Sequence, residues 1–382
     1  MYNVSTHHQA EFESAPDVVV SAPGTVNLMG AHTEESEGTV LQMAIDRRMH
    51  VAVSQRADQA LRFFAADFGE RKRTTIGGLK YKREDRWANL AKGVIAQILE
   101  RDFAISGLNL TIGGDVPTGI GLASSAAITA AVATALNALF ELDLAPGELL
   151  DIAVAAERDF MGRTVGASEC ATALRAEHDT ALLYDARSRE TVPVGLSLRD
   201  HRIIVIDSRV PISPARNEYG ERLNDCRTCV DVMQERKPGT ALRDFTLDDL
   251  DDAMGRIPEN ARRRCLHVVH ENQRVRDVVK SLRRRDLPSV GRLLTRSHGS
   301  LRDLYEVSCP EIDWIVKRST EASGVLGARI TGNGFGGCAV ALVEESSIEA
   351  YYGRLEEYER IFGFRPEPFV ATPDDGARLE TV

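Results

Sequence analysis

The sequence predicts an α+β fold that is divided into two domains. With 382 residues, the chain is too long for a single hydrophobic core of ordinary size. Strand and helix patterns follow one another without the regular alternation of a parallel sheet, which favours an α+β architecture. A buried strand pattern at 201–207 opens a second unit, and we therefore expect domains at 1–195 and 196–382.

The first domain is predicted to begin with strands and to continue with helices. Apolar and alternating runs predict strands at 18–22, 40–45, 49–54 and 108–112. Helical periodicity predicts helices at 87–101, 126–140 and 146–160. An apolar segment at 180–184 and a polar turn region close this part of the chain.

The second domain is predicted to be mostly helical. After the strand at 201–207, helix patterns occupy 217–234, 246–254, 259–282, 286–296 and 310–323. A glycine-rich strand pair is predicted at 324–343, and a final helix at 347–361. No internal repeat, low-complexity tract or long linker separates these elements.

The net charge and hydropathy of the chain argue against two classes of partner, nucleic acids and membranes. The 57 acidic residues exceed the 47 Lys and Arg residues and give a net charge of −10, which argues against binding nucleic acid or an anionic membrane surface. No apolar run approaches the roughly 20 residues that span a bilayer. The N-terminus lacks the basic region and apolar core of a signal peptide. We therefore expect a cytoplasmic protein that binds neither nucleic acid nor a membrane.

The six cysteines are scattered along the chain, as is typical of free thiols in a reducing compartment. Cys226 and Cys229 form one C-x-x-C pair, but neither a second such pair nor a histidine pair is nearby in the sequence. A zinc site needs four ligands, so we do not expect a metal at this pair.

The segment 117–127, Pro-Thr-Gly-Ile-Gly-Leu-Ala-Ser-Ser-Ala-Ala, predicts a loop that opens directly into a helix. Gly119 and Gly121 permit a tight turn and a close approach of the backbone to a ligand. The free amide groups and the positive dipole end of the helix favour an anion such as phosphate. No lysine follows the second glycine, so this is not a Walker loop. An ordinary turn and helix cap is the alternative interpretation.

Three glycine-bearing segments occur in a fixed order, at 22–38, 117–127 and 327–338. Together they resemble the GHMP small-molecule kinases, and specifically the galactokinases. Further segments at 87–94, 267–275 and 297–308 extend the resemblance over about residues 18–345. The resemblance implies a two-domain GHMP kinase fold with the active site in the cleft between the domains. It also implies phosphoryl transfer from ATP to the anomeric hydroxyl of galactose or a related sugar.

The nucleotide half of the galactokinase pattern is intact. The resemblance implies that ATP is bound by Pro117, Gly119, Gly121, Leu122, Ala123, Ser124 and Ser125. It also implies that Ser125 and Glu157 hold Mg²⁺, a hard cation that prefers oxygen ligands. A solvated helix carboxylate is the alternative for Glu157. The third segment is expected to pack beside the loop, with Asn333 replacing a glycine in a left-handed conformation.

The sugar half of the pattern departs from the family. Galactokinases have an arginine at the position of Thr25, a glutamate at Ala31, an aspartate at Glu34 and a tyrosine at Glu35, while their catalytic aspartate is Glu169 here. The resemblance therefore places catalytic roles at Glu169 and Thr25. It places sugar contacts at Ala31, His32, Glu34, Gly166 and Tyr219.

These departures have physical consequences for catalysis. Glu169 can still act as a base, but its reach is shifted by more than about 1 Å, and misplacement on that scale can cost about 10²-fold. Thr25 supplies no positive charge to the transferred phosphoryl group, where such charge is needed. Arg163 and Arg209 are candidate substitutes, although each is also typical of a surface arginine.

An excess of carboxylates is predicted around the sugar pocket. Glu34, Glu35, Glu37 and Glu169 would crowd it, which favours an amino sugar or another cationic substrate over neutral galactose. Alternatively, Glu35 and Glu37 point to solvent. Two functions remain open: an active ATP-dependent sugar kinase, and a catalytically weak sensor that binds nucleotide or sugar. The oligomeric state has no sequence signature.

Overall fold

The computed structural model describes residues 2–212 and 216–381, with side chains described from residue 219 onward in the second range. The helices are α1 Val4–Phe12, α2 Ala88–Leu99, α3 Ser124–Leu139, α4 Pro146–Ala155, α5 Ser168–Arg175, α6 Arg216–Met233, α7 Leu247–Asp252, α8 Glu259–Arg283, α9 Leu287–Ser300, α10 Pro310–Glu321, α11 Ile348–Leu355 and α12 Glu357–Phe362. The strands are β1 Val18–Met29, β2 Thr39–Gln55, β3 Ala60–Ala65, β4 Glu70–Thr75, β5 Leu108–Gly114, β6 Thr180–Asp185, β7 Thr191–Gly195, β8 His201–Asp207, β9 Val325–Ile330, β10 Cys338–Glu344, β11 Glu367–Ala371 and β12 Arg378–Glu380.

Two sheets organise the chain and confirm the α+β class. The larger sheet has the strand order β12-β1-β2-β5-β3-β4, with β6 paired to β2 and β7 to β6. The smaller sheet has the order β11-β8-β10-β9. All pairings are antiparallel except that of β3 with β5. The first seven strands lie in one sheet and the next four in the other, while β12 returns to pair with β1.

Helix α3 packs across the larger sheet and sets the position of the loop before it. It contacts both β1 and β2, and its face toward them carries small, fully buried residues that include Ala127, Ala130 and Ala131. Small side chains allow the helix axis to approach the sheet closely, and the dense packing fixes the helix start. The loop that precedes α3 therefore rests on a rigid support.

Several predicted elements have different bounds in the structure. The strands predicted at 40–45 and 49–54 form one strand, β2, because the polar residues between them are satisfied in place. Buried Arg48 donates hydrogen bonds to Ser21 and, at 2.8 Å, to Asp374 near the C-terminus. The helix predicted at 146–160 ends as α4 at Ala155 and continues as a π-helical turn at 156–160. The final predicted helix is divided into α11 and α12.

The prediction that all six cysteines are free thiols is wrong for two of them. Cys229 of α6 and Cys265 of α8 form a disulfide, whereas Cys170, Cys226, Cys309 and Cys338 are free. The two partners are 36 residues apart in the sequence. Their pairing depends on the side-by-side packing of α6 and α8, which no local sequence pattern reveals.

The boundary between the predicted domains falls in the connection from β7 to β8. The division at residues 195 and 196 stays a prediction, and the return of β12 to the larger sheet ties the C-terminus to the first unit. Within residues 2–212 and 216–381, no helix combines the length and apolar character needed to cross a bilayer.

Candidate functional site

A pocket draws its walls from both parts of the chain. The first unit contributes Asn27, Gly30, Ala31, His32, Glu34, Glu35, Val40, Gln42, Thr164, Val165, Gly166, Ser168 and Glu169, and the second contributes Tyr219, Gly332 and Asn333. The structure thus brings together all five residues predicted to contact sugar, together with Glu169. Thr25 does not line the pocket; it is 2% exposed, and its backbone N–H donates to the Leu122 carbonyl at 3.1 Å.

The predicted phosphate loop has the backbone of a tight turn before a helix. Gly119 and Gly121 have φ values of +78° and +85°, in the left-handed region that favours glycine. Helix α3 then begins at Ser124, and its N-cap residue Ala123 has no side chain that accepts a hydrogen bond. The first amide groups of α3 therefore lack a side-chain cap, as an anion-binding helix start requires.

The third glycine-rich segment packs against this loop, which confirms the predicted packing. A Cβ atom added to Gly332 would lie 2.9 Å from the Cα of Gly121, and one added to Gly337 would lie 2.6 Å from the Ile120 carbonyl oxygen. The expectation of a left-handed Asn333 is wrong, because positive φ values occur at its neighbours Gly332 and Gly334 instead. Glycines on both sides carry the turn, so Asn333 is free to adopt an ordinary conformation.

The two predicted magnesium ligands share one neighbour, the side chain of Arg163. Its Nη1 atom lies 3.3 Å from both the Ser125 hydroxyl oxygen and a Glu157 carboxylate oxygen. Glu157 is only 4% exposed, so the alternative of a solvated carboxylate is wrong. Burial raises the pKa of Glu157, and the nearby Arg163 partly opposes this rise. The hydroxyl and carboxylate therefore meet around one positive group.

Arg209, the other candidate for a substitute cation, is engaged elsewhere. Its guanidinium pairs with Asp207 at 3.3 Å and with Glu367 at 3.1 Å, at the end of β8 and on the neighbouring strand β11. Two carboxylates already neutralise this side chain. Of the two candidates, only Arg163 contacts the predicted nucleotide half.

Glu169 lies in the first turn of α5 and lines the pocket. Burial, followed by the charges of Glu157 and Glu34, raises the pKa of its carboxyl group from 4.5 to about 8. The group is therefore largely protonated at pH 7 in the absence of ligands. Such a shift is common at functional sites, because carboxylates that crowd a pocket resist ionisation together.

Glu34 caps the N-terminus of α5. Its carboxylate accepts hydrogen bonds from the backbone N–H groups of Ala167 and Ser168 and, at 2.6 Å, from the Ser168 hydroxyl. Burial nevertheless dominates and raises the pKa of Glu34 to about 7. A Cβ atom on Gly166 would overlap this carboxylate, so the glycine makes room for the longer glutamate side chain.

Aromatic rings hold His32 in one orientation beside the pocket. The imidazole stacks on Tyr305 with ring centroids 4.5 Å apart, and it also contacts the ring of Tyr219. Burial, assisted by the nearby His267, lowers the pKa of His32 to about 3, so the ring is neutral. The neighbouring Ala31 carbonyl accepts a hydrogen bond from the His267 Nε2 group at 3.1 Å.

The prediction that four carboxylates surround the pocket is wrong for one of them. Glu34, Glu35 and Glu169 line the pocket, whereas Glu37 forms an ion pair with Arg187 on the surface. Glu35 is exposed but does not simply point to solvent, since it accepts a hydrogen bond from the Tyr219 hydroxyl. Three carboxyl groups thus remain around the pocket.

Asn27 and Gln42 are pocket residues that sequence reasoning did not assign to the site. Asn27 Oδ1 and Gln42 Oε1, like His32 Nε2, are buried and have no hydrogen-bond partner among the described residues. Buried polar atoms are rarely left unpaired, so three of them around one pocket indicate a polar ligand. The position of Asn27 within the first glycine-bearing segment was the available signal.

Three family models match the chain. The model described as "Galactokinase galactose-binding signature" matches residues 6–55. The models described as "GHMP kinases N terminal domain" and "GHMP kinases C terminal" match residues 89–177 and 278–360. These ranges contain the first glycine-bearing segment, the loop before α3 and the third segment.

Known proteins are similar to this chain over almost its full length. A galactokinase of Roseiflexus sp. is 37% identical, with 96% of this chain and 94% of that protein covered. A galactokinase of Streptomyces coelicolor is 35% identical, with 96% and 95% covered. The crystal structure of Lactococcus lactis galactokinase complexed with galactose superposes with a TM-score of 0.93 at 29% identity and covers 98% of both chains. The chain therefore belongs to the galactokinase family of GHMP kinases, whose phosphoryl donor is ATP, and it is a galactokinase-like sugar kinase.

Proposed function

We propose that this chain transfers the γ-phosphoryl group of ATP to the anomeric hydroxyl of galactose or a closely related sugar bound in the pocket. The unpaired atoms of Asn27, His32 and Gln42 carry this proposal. A sugar hydroxyl both donates and accepts hydrogen bonds, so a polyhydroxylated ligand suits such a set. An apolar ligand would leave each of these atoms unsatisfied at a cost of about 1–3 kcal/mol.

The nucleotide is proposed to bind at the loop before α3. The proposed nucleotide contacts are Pro117, Gly119, Gly121, Leu122 and Ala123 in this loop and Ser124 and Ser125 at the start of α3. The uncapped amide groups of α3 suit phosphate oxygens. Ser125 and Glu157 fit a magnesium ion, because both are oxygen ligands that reach the same Arg163 nitrogen. When bound, Mg²⁺ neutralises phosphate charge and aligns the γ-phosphoryl group.

Glu169 is proposed to act as the general base. Its ionised carboxylate accepts the proton of the anomeric hydroxyl as that oxygen attacks the γ-phosphorus atom. The bond from this phosphorus to the β–γ bridging oxygen breaks, and ADP leaves with the electron pair. The base is available only in the deprotonated fraction, because burial raises the pKa of Glu169 to about 8.

Ala31 and Glu34 are proposed to shift the preference of the pocket from galactose toward a related sugar with other substituents at the positions that face them. Ala31 removes a carboxylate that galactokinases carry, and the Glu34 carboxylate is engaged at the N-terminus of α5. Two polar contacts to sugar hydroxyls are therefore weakened or lost. A substituent that is bulkier, or one that carries positive charge toward Glu35, compensates for them best.

The proposed function is tested by ADP release from Mg–ATP with a panel of galactose, galactosamine, N-acetylgalactosamine, galacturonate, arabinose and glucose. We expect one sugar to accelerate release over the sugar-free rate, and Glu169→Gln to abolish the acceleration. The matched control is Glu37→Gln, which removes a carboxylate outside the pocket and leaves the rate unchanged. ATP binding without sugar-dependent turnover would support the weak sensor, which the uncharged Thr25 favours.

A further inference from the structure

Arg163 lies beside both predicted magnesium ligands, Ser125 and Glu157, in the nucleotide half of the site. Its Nη1 atom lies 3.3 Å from the Ser125 hydroxyl at the start of α3 and 3.3 Å from the buried Glu157 carboxylate. Glu157 in turn is close enough to Glu169 to raise its pKa. One guanidinium group thus bridges the start of α3 and the buried Glu157 carboxylate, whose charge acts on Glu169.

We propose that Arg163 supplies the positive charge at the transferred phosphoryl group, which the galactokinase family places at the position of Thr25. This inference rests on the proposed function and adds to it one residue of this chain. Thr25 is buried on β1, and its side chain carries no charge. Phosphoryl transfer depends on charge around the transferred group, so another cation is needed.

The geometry leaves Arg163 free to take a phosphate. Its side chain is 41% exposed, and both of its contacts, at 3.3 Å, are long for charge-assisted hydrogen bonds. Its Nε and Nη2 groups make no hydrogen bond within the part of the chain that the structure describes. An arginine presents five N–H donors in a planar arrangement that matches phosphate oxygens. Most of these donors remain available beside the start of α3.

Arg163 is also compatible with a metal ion at Ser125 and Glu157. Ser125 and Glu157 would hold a divalent cation through their oxygens, and the 3.3 Å contacts of Arg163 to them are weak enough to be given up. The long, partly exposed side chain would then be free to face phosphate oxygens at the amide groups of α3. Arg163 would thus contact phosphate without competing with a metal ion for Ser125 and Glu157.

The inference is tested with Arg163→Met, Arg163→Lys and the matched control Arg158→Met. Arg158 lies in the same segment, is exposed and pairs only with Asp159 among the described residues. With the best sugar of the panel, we expect Arg163→Met to lower kcat by about 10³-fold with little change in the KM for sugar. Arg163→Lys keeps the charge without the planar group and should recover part of the loss, while Arg158→Met should match the wild type.

A second measurement separates this inference from the proposed function. The dissociation constants for ATP and ADP, with and without Mg²⁺, report contact with the γ-phosphate whether or not the protein turns over. We expect wild type and Arg158→Met to bind ATP more tightly than ADP. In Arg163→Met the ratio of the two dissociation constants should be about tenfold smaller, which corresponds to about 1.4 kcal/mol. An unchanged preference in Arg163→Met overturns the inference. An absence of sugar-dependent turnover in the wild type overturns the proposed function alone.

Discussion

Gly121 and Gly332 meet backbone to backbone where the two units of the chain join. A Cβ atom on Gly332 would lie 2.9 Å from the Gly121 Cα and 3.0 Å from its carbonyl oxygen. The two glycines have φ values of +85° and +71°. One precedes α3 on the larger sheet, and the other lies between β9 and β10 of the smaller sheet. The shape of the predicted phosphate loop therefore depends on a residue more than two hundred positions away.

Gly332→Ala is expected to weaken ATP binding about tenfold and to lower the free energy of unfolding by about 1–3 kcal/mol. The new Cβ atom collides with backbone, which cannot rotate away, and alanine is strained at this φ value. Titration with ATP and thermal unfolding check both effects. The control is Gly353→Ala in α11, where a Cβ atom meets nothing within 4 Å and should stabilise the helix slightly. Wild-type ATP affinity in Gly332→Ala would contradict the role of this contact.

The rate of sugar phosphorylation is expected to rise with pH up to about 8. The raised pKa of Glu169 leaves its carboxyl group protonated at lower pH, and only the ionised form accepts a proton. The kcat/KM for sugar, measured at saturating Mg–ATP from pH 6 to 9, should climb toward tenfold per pH unit below the pKa and then level off. Glu169→Gln, which lacks the base, should show no sugar-dependent rate at any pH in this range. A wild-type profile that is flat between pH 6 and 8 would sink the assignment of Glu169 as the base.

The free energy of unfolding is expected to fall as the pH rises, whereas the rate of sugar phosphorylation is expected to rise. The Glu169 carboxyl group has a pKa near 4.5 when unfolded and about 8 when folded. Between these values the folded state holds a proton that the unfolded state has released, so this group lowers stability as pH rises from 4.5 to 8. Glu169→Gln stays neutral and should gain stability relative to wild type over that range. Melting temperatures at pH 5 and pH 8 test this, and an equal difference at both would refute it.

The sequence predicts elements whose cause is local and misses those that depend on distant contacts. Helix α8 spans Glu259–Arg283, against a prediction of 259–282, because a proline and a long amphipathic pattern mark it. Helix α5 was not predicted. Its N-terminus is capped by Glu34, 134 residues away from Ser168, so no local cap appears in the sequence. Strands β11 and β12 are short, and each exists only by pairing with a strand far along the chain.

The site follows the same rule. The family pattern predicts the fold, and this fold brings five predicted residues together in the pocket: Ala31, His32, Gly166, Glu169 and Tyr219. The partners of the carboxylates, by contrast, are not in any pattern: Arg187, 150 residues away, forms an ion pair with Glu37 outside the pocket. The unpaired atoms that indicate a polar ligand likewise become visible only once every neighbour is placed.

Glu34→Asp is expected to lower stability by about 1 kcal/mol and to improve turnover of galactose. The shorter side chain withdraws from the N-terminus of α5, whose cap is worth about that much. The freed carboxylate then stands where galactokinases keep an aspartate for a sugar hydroxyl. Unfolding curves and kcat/KM for galactose measure the two effects. Glu34→Gln is the control: it keeps the length and the acceptor for Ser168, so it should remain folded without any gain on galactose.

Glu271→Gln is expected to destabilise the protein by about 3–5 kcal/mol. The fully buried Glu271 carboxylate accepts hydrogen bonds from Arg274 at 2.6 Å, from Ser297 at 2.8 Å and from the backbone N–H of Gly30 at 3.0 Å, and it faces buried Arg329 at 3.4 Å. Burial opposes ionisation, but Arg274 and Arg329 outweigh it and lower the pKa to about 2. Removal of this charge leaves a guanidinium buried without compensation, which is strongly unfavourable.

The measurement for Glu271→Gln is urea unfolding at pH 7, compared with the surface change Glu37→Gln, whose ion pair with Arg187 is exposed and contributes little to stability. Because the folded pKa of Glu271 lies below the unfolded one, its contribution is fully present above about pH 4.5 and is lost as the pH falls toward 2. The loss caused by Glu271→Gln should therefore shrink at low pH. A cost at pH 7 as small as that of Glu37→Gln would show that Arg329 finds another partner. In that case the Gly30–His32 turn does not depend on this carboxylate.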